Sequence, residues 1–403
     1  MSAVRRRPRW GVQTSLFQLR QPAFWLFAAI MVWAAFSTVS QQELFQRISP
    51  SGWALAWFLV LVYALPVVAL VYVLDLFEHE PVSLIAGAVL WGAVAATSLA
   101  AVANEGWALV VARVGGPDFA SRWTAALTAP FVEETLKAAG VVLIYLIARR
   151  EIDDVMDGFV YGALCGLGFA VVEDVFYFMA VFGGEPSGVL RGFFVRVVAS
   201  GFYGHVLWTG LCGIGIAYFV SRRGEQRFAK RAAVAAGLFV AAVFAHFLWN
   251  SPLLDFFPTE PWMGVEWVLV PLATTVKGAP FLGFVAVIVF LARRRERRWF
   301  ALAVDTEVGN VGLLPDELAT LQDPRKKRRA RREMRARAGA HAGALLKRLQ
   351  REQVHLAMIR TRVLSDDDPQ LVRQRLYCKS LRDALMAIPA AAPASGQTPR
   401  PLG

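Results

Sequence analysis

The chain has 403 residues, of which 56% are hydrophobic, and a mean hydropathy of +0.45. Repeated apolar runs of about 20 residues, each long enough to cross a bilayer, exclude a soluble globular protein and place the chain among all-α polytopic transmembrane helix bundles. The formal net charge of +12 resides entirely in residues from Arg293 onward, so the membrane part is balanced and the tail is strongly basic.

In chain order, residues 1–22 are a basic arm carrying Arg5, Arg6, Arg7 and Arg9. About eight spans follow, expected at 23–38, 53–74, 82–103, 124–148, 155–182, 200–220, 232–250 and 272–292. The first lacks a clear small-residue cleavage site and reads as a retained anchor rather than a signal peptide. Basic residues cluster in the arm, at Arg149 and Arg150, from Arg222 to Arg231, and after Ala292. With eight spans these are alternate connections, which places both termini in the cytoplasm. The turn holding Asp75, Glu78, His79 and Glu80 dissents, being acidic where that topology expects cations. Cys165 and Cys212 fall inside spans and Cys378 in the tail, so no disulfide framework of a secreted protein is visible.

The tail, 293–387, is expected to be helical and to lie on anionic lipid, with a second short helix over 369–388 and a disordered end over 388–403. Its densest run, RKKRRARREMRARAGA, lacks the interleaved aromatics of a nucleic-acid module, and no nucleic acid is expected as a partner. One role for such a tail is to orient or restrain the membrane domain.

Ionisable residues inside spans need an explanation, because a charge at the bilayer centre costs roughly 2.5 to 3.5 kcal/mol on insertion scales. Glu133, Glu134 and Lys137 lie within one span. The next carries Gly158, Gly162 and Gly166 at four-residue spacing, a small-residue stripe for close helix approach. Glu173 is close to two turns past Gly166 and should point into the bundle, whereas Asp174 points elsewhere. His205 lies in the sixth span, and His246 with Asn250, four residues apart, in the seventh. A single intramembrane His or Asn is ordinarily an interhelical hydrogen bond. Counted at about 1.5 Å per residue from the cytoplasmic ends, however, the two glutamates, Glu173 and both histidines all fall at roughly 21 to 27 Å depth, in one layer toward the outer face.

Peptide hydrolysis suits carboxylates, imidazoles and an amide in a buried layer. It needs a base for water, stabilisation of an oxyanion and a proton for the leaving amine. A glutamate base with His partners supplies these directly, and His with Glu can alternatively bind Zn²⁺ with one position open to water. Lys137, four residues after Glu133 and three after Glu134, can pair with a glutamate, and Pro130 should loosen the helix nearby. No Ser/His/Asp order, GxSxG elbow, HExxH helix or Walker loop is present.

The ordered set EETLK (Glu133, Glu134, Lys137), DGFVYGALCGLGFAVVED (through Glu173), GHVLWTG (His205) and HFLWN (His246, Asn250), with DLFEHEP at 75–81, resembles the PrsW family of bacterial intramembrane proteases over roughly residues 50–292. That family is related to the CAAX prenyl endopeptidases and bacteriocin-processing enzymes. The resemblance implies cleavage of single-pass membrane proteins in the bacterial cytoplasmic membrane, such as the first cut in an anti-sigma factor. It further implies Glu133 as general base and Glu134 as its partner or a ligand. His205 becomes a water-activating or metal-binding group, and His246 with Asn250 the oxyanion-stabilising or ligand pair. Lys137 and Glu173 are supporting residues. If a metal is used, Glu134, Glu173, His205 and His246 are the expected ligands and Zn²⁺ the expected ion; a metal-free glutamate-activated water stays open.

The residues alone also admit a transporter or proton pathway, a haem carrier ligated by His205 and His246, and a non-catalytic scaffold. Against transport, no inverted repeat of broken helices is visible and Lys277 has no matching partner in another half.

Overall fold

The computed structural model describes residues 14–74, 80–149, 151–199, 202–254, 266–363 and 365–389. The arm through residue 13, the acidic turn at 75–79 and the end from 390 lie outside the described residues, together with the expectations placed on them. Among the described residues the regular elements are all helical. They divide into two compact units, with the boundary between Arg293 and Arg294.

The first unit begins with α1 (Pro22–Ile48) and α2 (Pro50–Leu74). Next, α3 (Val82–Leu90) passes through a π-helical turn (Trp91–Ala96) into α4 (Thr97–Gly115). Gly116, at φ 80° and ψ 168°, holds a backbone conformation that essentially only glycine adopts, and Pro117 then opens α5 (Pro117–Ile147) with its φ already set for a helix. The start of α6 (Val155–Phe176) is fixed by a capping box. In it, Asp154 accepts from the N–H groups of Val155 and Met156, and Asp157 accepts from those of Asp153 and Asp154 at 2.9 and 2.7 Å. A π-helical turn (Tyr177–Val181) closes α6, and the short α7 (Pro186–Phe193) runs into another (Phe194–Ala199). Then come α8 (Gly204–Ser221), α9 (Phe228–Asn250) and α10 (Glu266–Asp305).

Among the described residues, 7 helical stretches are long and apolar enough to cross a membrane. They correspond to seven of the eight expected spans. The remaining one, α5, has 31 residues but fails on composition, because Glu133, Glu134 and Lys137 interrupt its apolar run. All three are buried inside the protein, so α5 is shielded from lipid where it is charged. The helix runs unbroken through Pro130. Outward-facing Val32, Phe36, Val62, Leu65 and Val240 on α1, α2 and α9 give these helices the apolar outer surface that lipid requires.

At the centre lies α6, packed most extensively on α8. A Cβ added at Gly158, Gly162 or Gly166 would collide with the backbone carbonyl oxygens of Gly213, Thr209 and His205 respectively. Contact this close between backbones, rather than apolar burial, is what holds helices together in lipid. Elsewhere, Trp91 lies against Gly140 and donates its indole N–H to Leu136 O at 2.9 Å.

In the second unit, α11 (Pro315–Leu321) packs on α12 (Pro324–Arg362), and α12 and α13 (Pro369–Met386) enclose a small core of Leu349, Leu356, Ile359, Leu371, Cys378 and Leu381. The expected short helix over 369–388 is α13. Within the basic run, α12 is broken at Ala338 and Gly339, where φ reaches 82°. Glycine is the residue that tolerates this, and Arg331 on one side reaches Gln350 on the other at 2.5 Å. Burial pushes the Cys378 thiol up to about 12, which makes it an inert core side chain.

Candidate active site

Because the glycine stripe draws α8 tightly onto α6, His205 and Thr209 are carried toward the charged turn of α5. There Lys137 Nζ lies 2.5 Å from Glu134 Oε1, 3.7 Å from Glu133 Oε2 and 2.9 Å from His205 Nδ1, and 4.3 Å above the Phe169 ring. Glu134 accepts from the Thr209 hydroxyl at 2.9 Å and from His246 Nδ1 at 3.1 Å. His205 Nε2 lies 3.0 Å from Glu173 Oε2.

These contacts fix both tautomers. An ammonium only donates, so His205 Nδ1 accepts from Lys137 and its Nε2–H donates to Glu173. Likewise His246 Nδ1–H donates to Glu134, which leaves the lone pair on Nε2. Trp208 stacks on His246 at 4.0 Å between ring centroids and 15° between planes, holding the imidazole in that orientation.

Glu133 is bound at one oxygen only. Its Oε1 accepts from Asn104 Nδ2 at 3.2 Å, whereas Oε2 is buried with no hydrogen-bond partner among the described residues and lies 4.0 Å from His246 Nε2. A buried carboxylate oxygen left in this state is costly unless a further group binds there. Glu133 lines a cavity of about 840 Å³ whose wall also includes Glu173, Arg196, His205, Trp208, His246 and Asn250.

Glu133, Glu134, Glu173 and Asp174 meet two basic side chains, Lys137 and Arg196, so carboxyl groups outnumber their cationic partners in the buried cluster, the donor chemistry a divalent cation takes. One candidate metal trio is present among the described residues: ligand atoms of Glu133, His205 and His246 lie within 4.8 Å of one another. Tetrahedral donors on bonds of roughly 2.1 Å stand about 3.4 Å apart, so the trio fits a metal after closing by about 1 Å. Glu133 Oε2 and His246 Nε2 are free for it, with His246 backed by Glu134 in the usual carboxylate–histidine arrangement. His205 would release Lys137 or Glu173.

The structure thus brings Glu133, Glu134, Lys137, Glu173, His205 and His246 together. Of the expected ligands, Glu134 and Glu173 are engaged by Lys137, Thr209 and His246 and by Arg196 and His205, and Glu133 takes the open position instead. Asn250 lines the cavity but lies one turn from His246, and its Nδ2 donates to Ala125 O at 3.4 Å rather than joining the cluster. Asp174 does face away from the reacting groups, toward Tyr63 (2.9 Å) and Arg196 (2.6 Å). Asn104, Thr209, Trp208 and Arg196 were not singled out from sequence. Arg196 carried a readable signal, a lone arginine within the apolar run GFFVRVVAS.

Residues 80–276 match the family model described as PrsW family intramembrane metalloprotease. Every residue of the cluster except Tyr63 falls within that stretch. No curated protein and no solved structure matches the chain.

Proposed function

Since residues 80–276 match the model of the PrsW family of intramembrane metalloproteases, we propose that this chain is a member of that family, an endopeptidase that cleaves single-pass membrane proteins near the outer face of the bacterial cytoplasmic membrane. An anti-sigma factor, cut at its first site, is the substrate class we favour. The observation that carries the reading is Glu133 Oε2, buried without a hydrogen bond among the described residues and 4.0 Å from His246 Nε2, in two residues that line the cavity. A water about 2.8 Å from each would subtend an angle of about 90°, within reach of both.

In this mechanism Glu133 Oε2 takes the proton of that water, and Asn104 holds the opposite oxygen, which leaves Oε2 for the water. The protonated Glu133 then returns the proton to the leaving amine. Lys137 compensates both glutamates, and Glu134 fixes the His246 tautomer. In the alternative arrangement Zn²⁺, held by Glu133, His205 and His246, would supply Lewis acidity to the water and the scissile carbonyl, and Glu133 would then serve as a ligand rather than as the base. Both termini are assigned to the cytoplasm, where the exposed Arg325, Lys326, Arg328, Arg329, Arg332 and Arg335 of α12 lie on anionic lipid at about 1 kcal/mol each.

The test is cleavage in cells of a panel of tagged single-pass anti-sigma factors from the same genome, comparing the intact protein with Glu133→Gln and His246→Ala at matched membrane levels. A product that disappears in both variants is the expected result. Cleavage that persists in both would overturn the assigned site.

A further inference from the structure

We propose that Arg196 and Glu173 together form a backbone-binding subsite, which holds the substrate as an unwound, extended strand two or three residues from the bond that is cut. The inference rests on the protease reading above and adds to it the form in which substrate is recognised.

A helix in lipid satisfies its own N–H and C=O groups. A peptide bond within it becomes accessible to Glu133 only after local unwinding, and each freed backbone group then needs a partner inside the cavity. The cavity must therefore offer donors and acceptors at fixed positions beside the reaction centre.

Arg196 is built for such a position. Its Nε donates to Asp174 Oδ1 at 2.6 Å and its Nη2 to Glu173 Oε2 at 2.7 Å, and the guanidinium lies 3.8 Å from the Tyr177 ring centre. Asp174 is itself held by the Tyr63 hydroxyl at 2.9 Å. These contacts immobilise an otherwise flexible side chain in advance of binding. Two atoms are left over. Arg196 Nη1 donates to nothing among the described residues, and Glu173, which gives Oε2 to both Arg196 and His205, has no hydrogen bond at Oε1. Both residues line the cavity. The pair thus offers one donor for a carbonyl oxygen and one acceptor for an N–H, the pattern of an extended strand.

Fold stability does not account for the cluster. The glycine stripe already sets the α6–α8 contact, and buried ion pairs are no more stabilising than apolar packing of the same volume. π-helical turns at both Tyr177–Val181 and Phe194–Ala199 shift the register locally, a feature common at functional sites. The subsite connects to the reaction centre through the 3.0 Å Glu173–His205 contact and the 5.1 Å between the His205 and His246 ring centres. Two to three residues of extended chain, at about 3.3 Å each, cover that path of about 8 Å. Because neither group touches a side chain, the subsite selects for segments that unwind rather than for a sequence.

The experiment uses the full-length protein in detergent and, as probe, the synthetic transmembrane segment of the panel member that is cut, carrying a fluorophore and a quencher. Backbone amides are replaced by esters, one at a time, over three residues on each side of the cut; an ester weakens the carbonyl as acceptor and removes the N–H. One or two adjacent positions should raise KM about tenfold or more in the intact enzyme, the size expected for hydrogen bonds to charged groups. Arg196→Lys, which keeps the charge but lacks the planar third donor, should raise KM to the same extent, change kcat by less than about threefold, and abolish the further effect of those esters. Esters that are neutral everywhere in the intact enzyme overturn the proposal, and that measurement stands even if Arg196→Lys does not accumulate. Arg196→Lys that lowers kcat with KM unchanged also overturns it, since Arg196 would then act only through Glu173. Failure of the intact enzyme to cut any such segment counts instead against the protease reading, and removes this inference with it.

Discussion

Each of the two units buries a cluster of charges, and the clusters differ in balance. In the tail, Glu307 is held by Arg375 at 2.8 and 2.9 Å and by Arg360 at 3.4 Å, and Asp366 lies 3.1 and 2.9 Å from the same two arginines. Glu317 accepts from Arg382 at 2.8 and 2.6 Å. Carboxylates and guanidiniums are equal in number and both Glu307 oxygens are used, although Asp366 is exposed and Arg360 Nε and Nη1 are held by charge alone, without a hydrogen bond among the described residues. In the membrane unit carboxyl groups outnumber basic side chains, and one oxygen of Glu133, a residue of the cavity wall, is buried without a hydrogen bond among the described residues. A matched cluster clips helices together. An unmatched one beside a cavity stores an incompletely bonded group, which is what a reaction requires.

The strongest way to break this contrast is Glu133→Gln. The amide keeps the shape and can still meet Asn104, so membrane accumulation should equal that of the intact protein, while cleavage falls by about 10²- to 10⁴-fold, the range of a lost general base. Quantitative blotting of product at matched protein level checks it, and substantial residual cleavage would return the open oxygen to a merely structural status.

Lys137→Met should act differently, because it strands Glu134 without its cation. Removing one partner of a buried pair costs about 3 to 5 kcal/mol, so the protein should accumulate poorly in the membrane. Combining it with Glu134→Gln should restore accumulation but not cleavage. Recovery of both would mean that Glu134 and Lys137 serve folding alone. Gly162→Leu comes next: its side chain would push into Thr209 O and displace the helix that carries His205, at an overpacking cost of about 1 to 3 kcal/mol. Thermal stability in detergent should fall together with cleavage, whereas a stable but inactive variant would show that the stripe tunes the site independently of the fold.

Much of this was legible in the sequence because lipid is an unforgiving solvent. Glutamates, a lysine and histidines inside apolar runs, and glycines at four-residue spacing, have few bland explanations there, and they do converge around α5, α6 and α8. What was not legible depended on neighbours rather than on spacing. Glu133 and Glu134 are adjacent and about 100° apart on one helix, and only Asn104, Thr209 and His246 on other helices decide which of them stays open. Asn250 shares a face with His246, yet a single turn of rise takes it to Ala125. Arg196 lies where segmentation placed a connection, and the π-helical turns that aim it leave no periodic mark. In the tail, Ala-Gly-Ala reads as helix, and the positive φ of Gly339 emerges only from how the two halves of α12 fold back.

The smallest effect on cleavage should come from the matched cluster. Glu307→Ala leaves Arg360 and Arg375 facing only Asp366, so the tail should loosen and tryptic cuts after the arginines of α12 and α13 should appear faster in the full-length protein. Cleavage of substrate should change by less than about twofold, as expected for sites that share no partner. A larger rise would mean that the ordered tail restrains the enzyme, and deletion of residues 325–403 should then raise it as much. A larger fall would mean that the tail orients the membrane unit. Either departure would turn the matched cluster from a local clip into part of the control of the unmatched one.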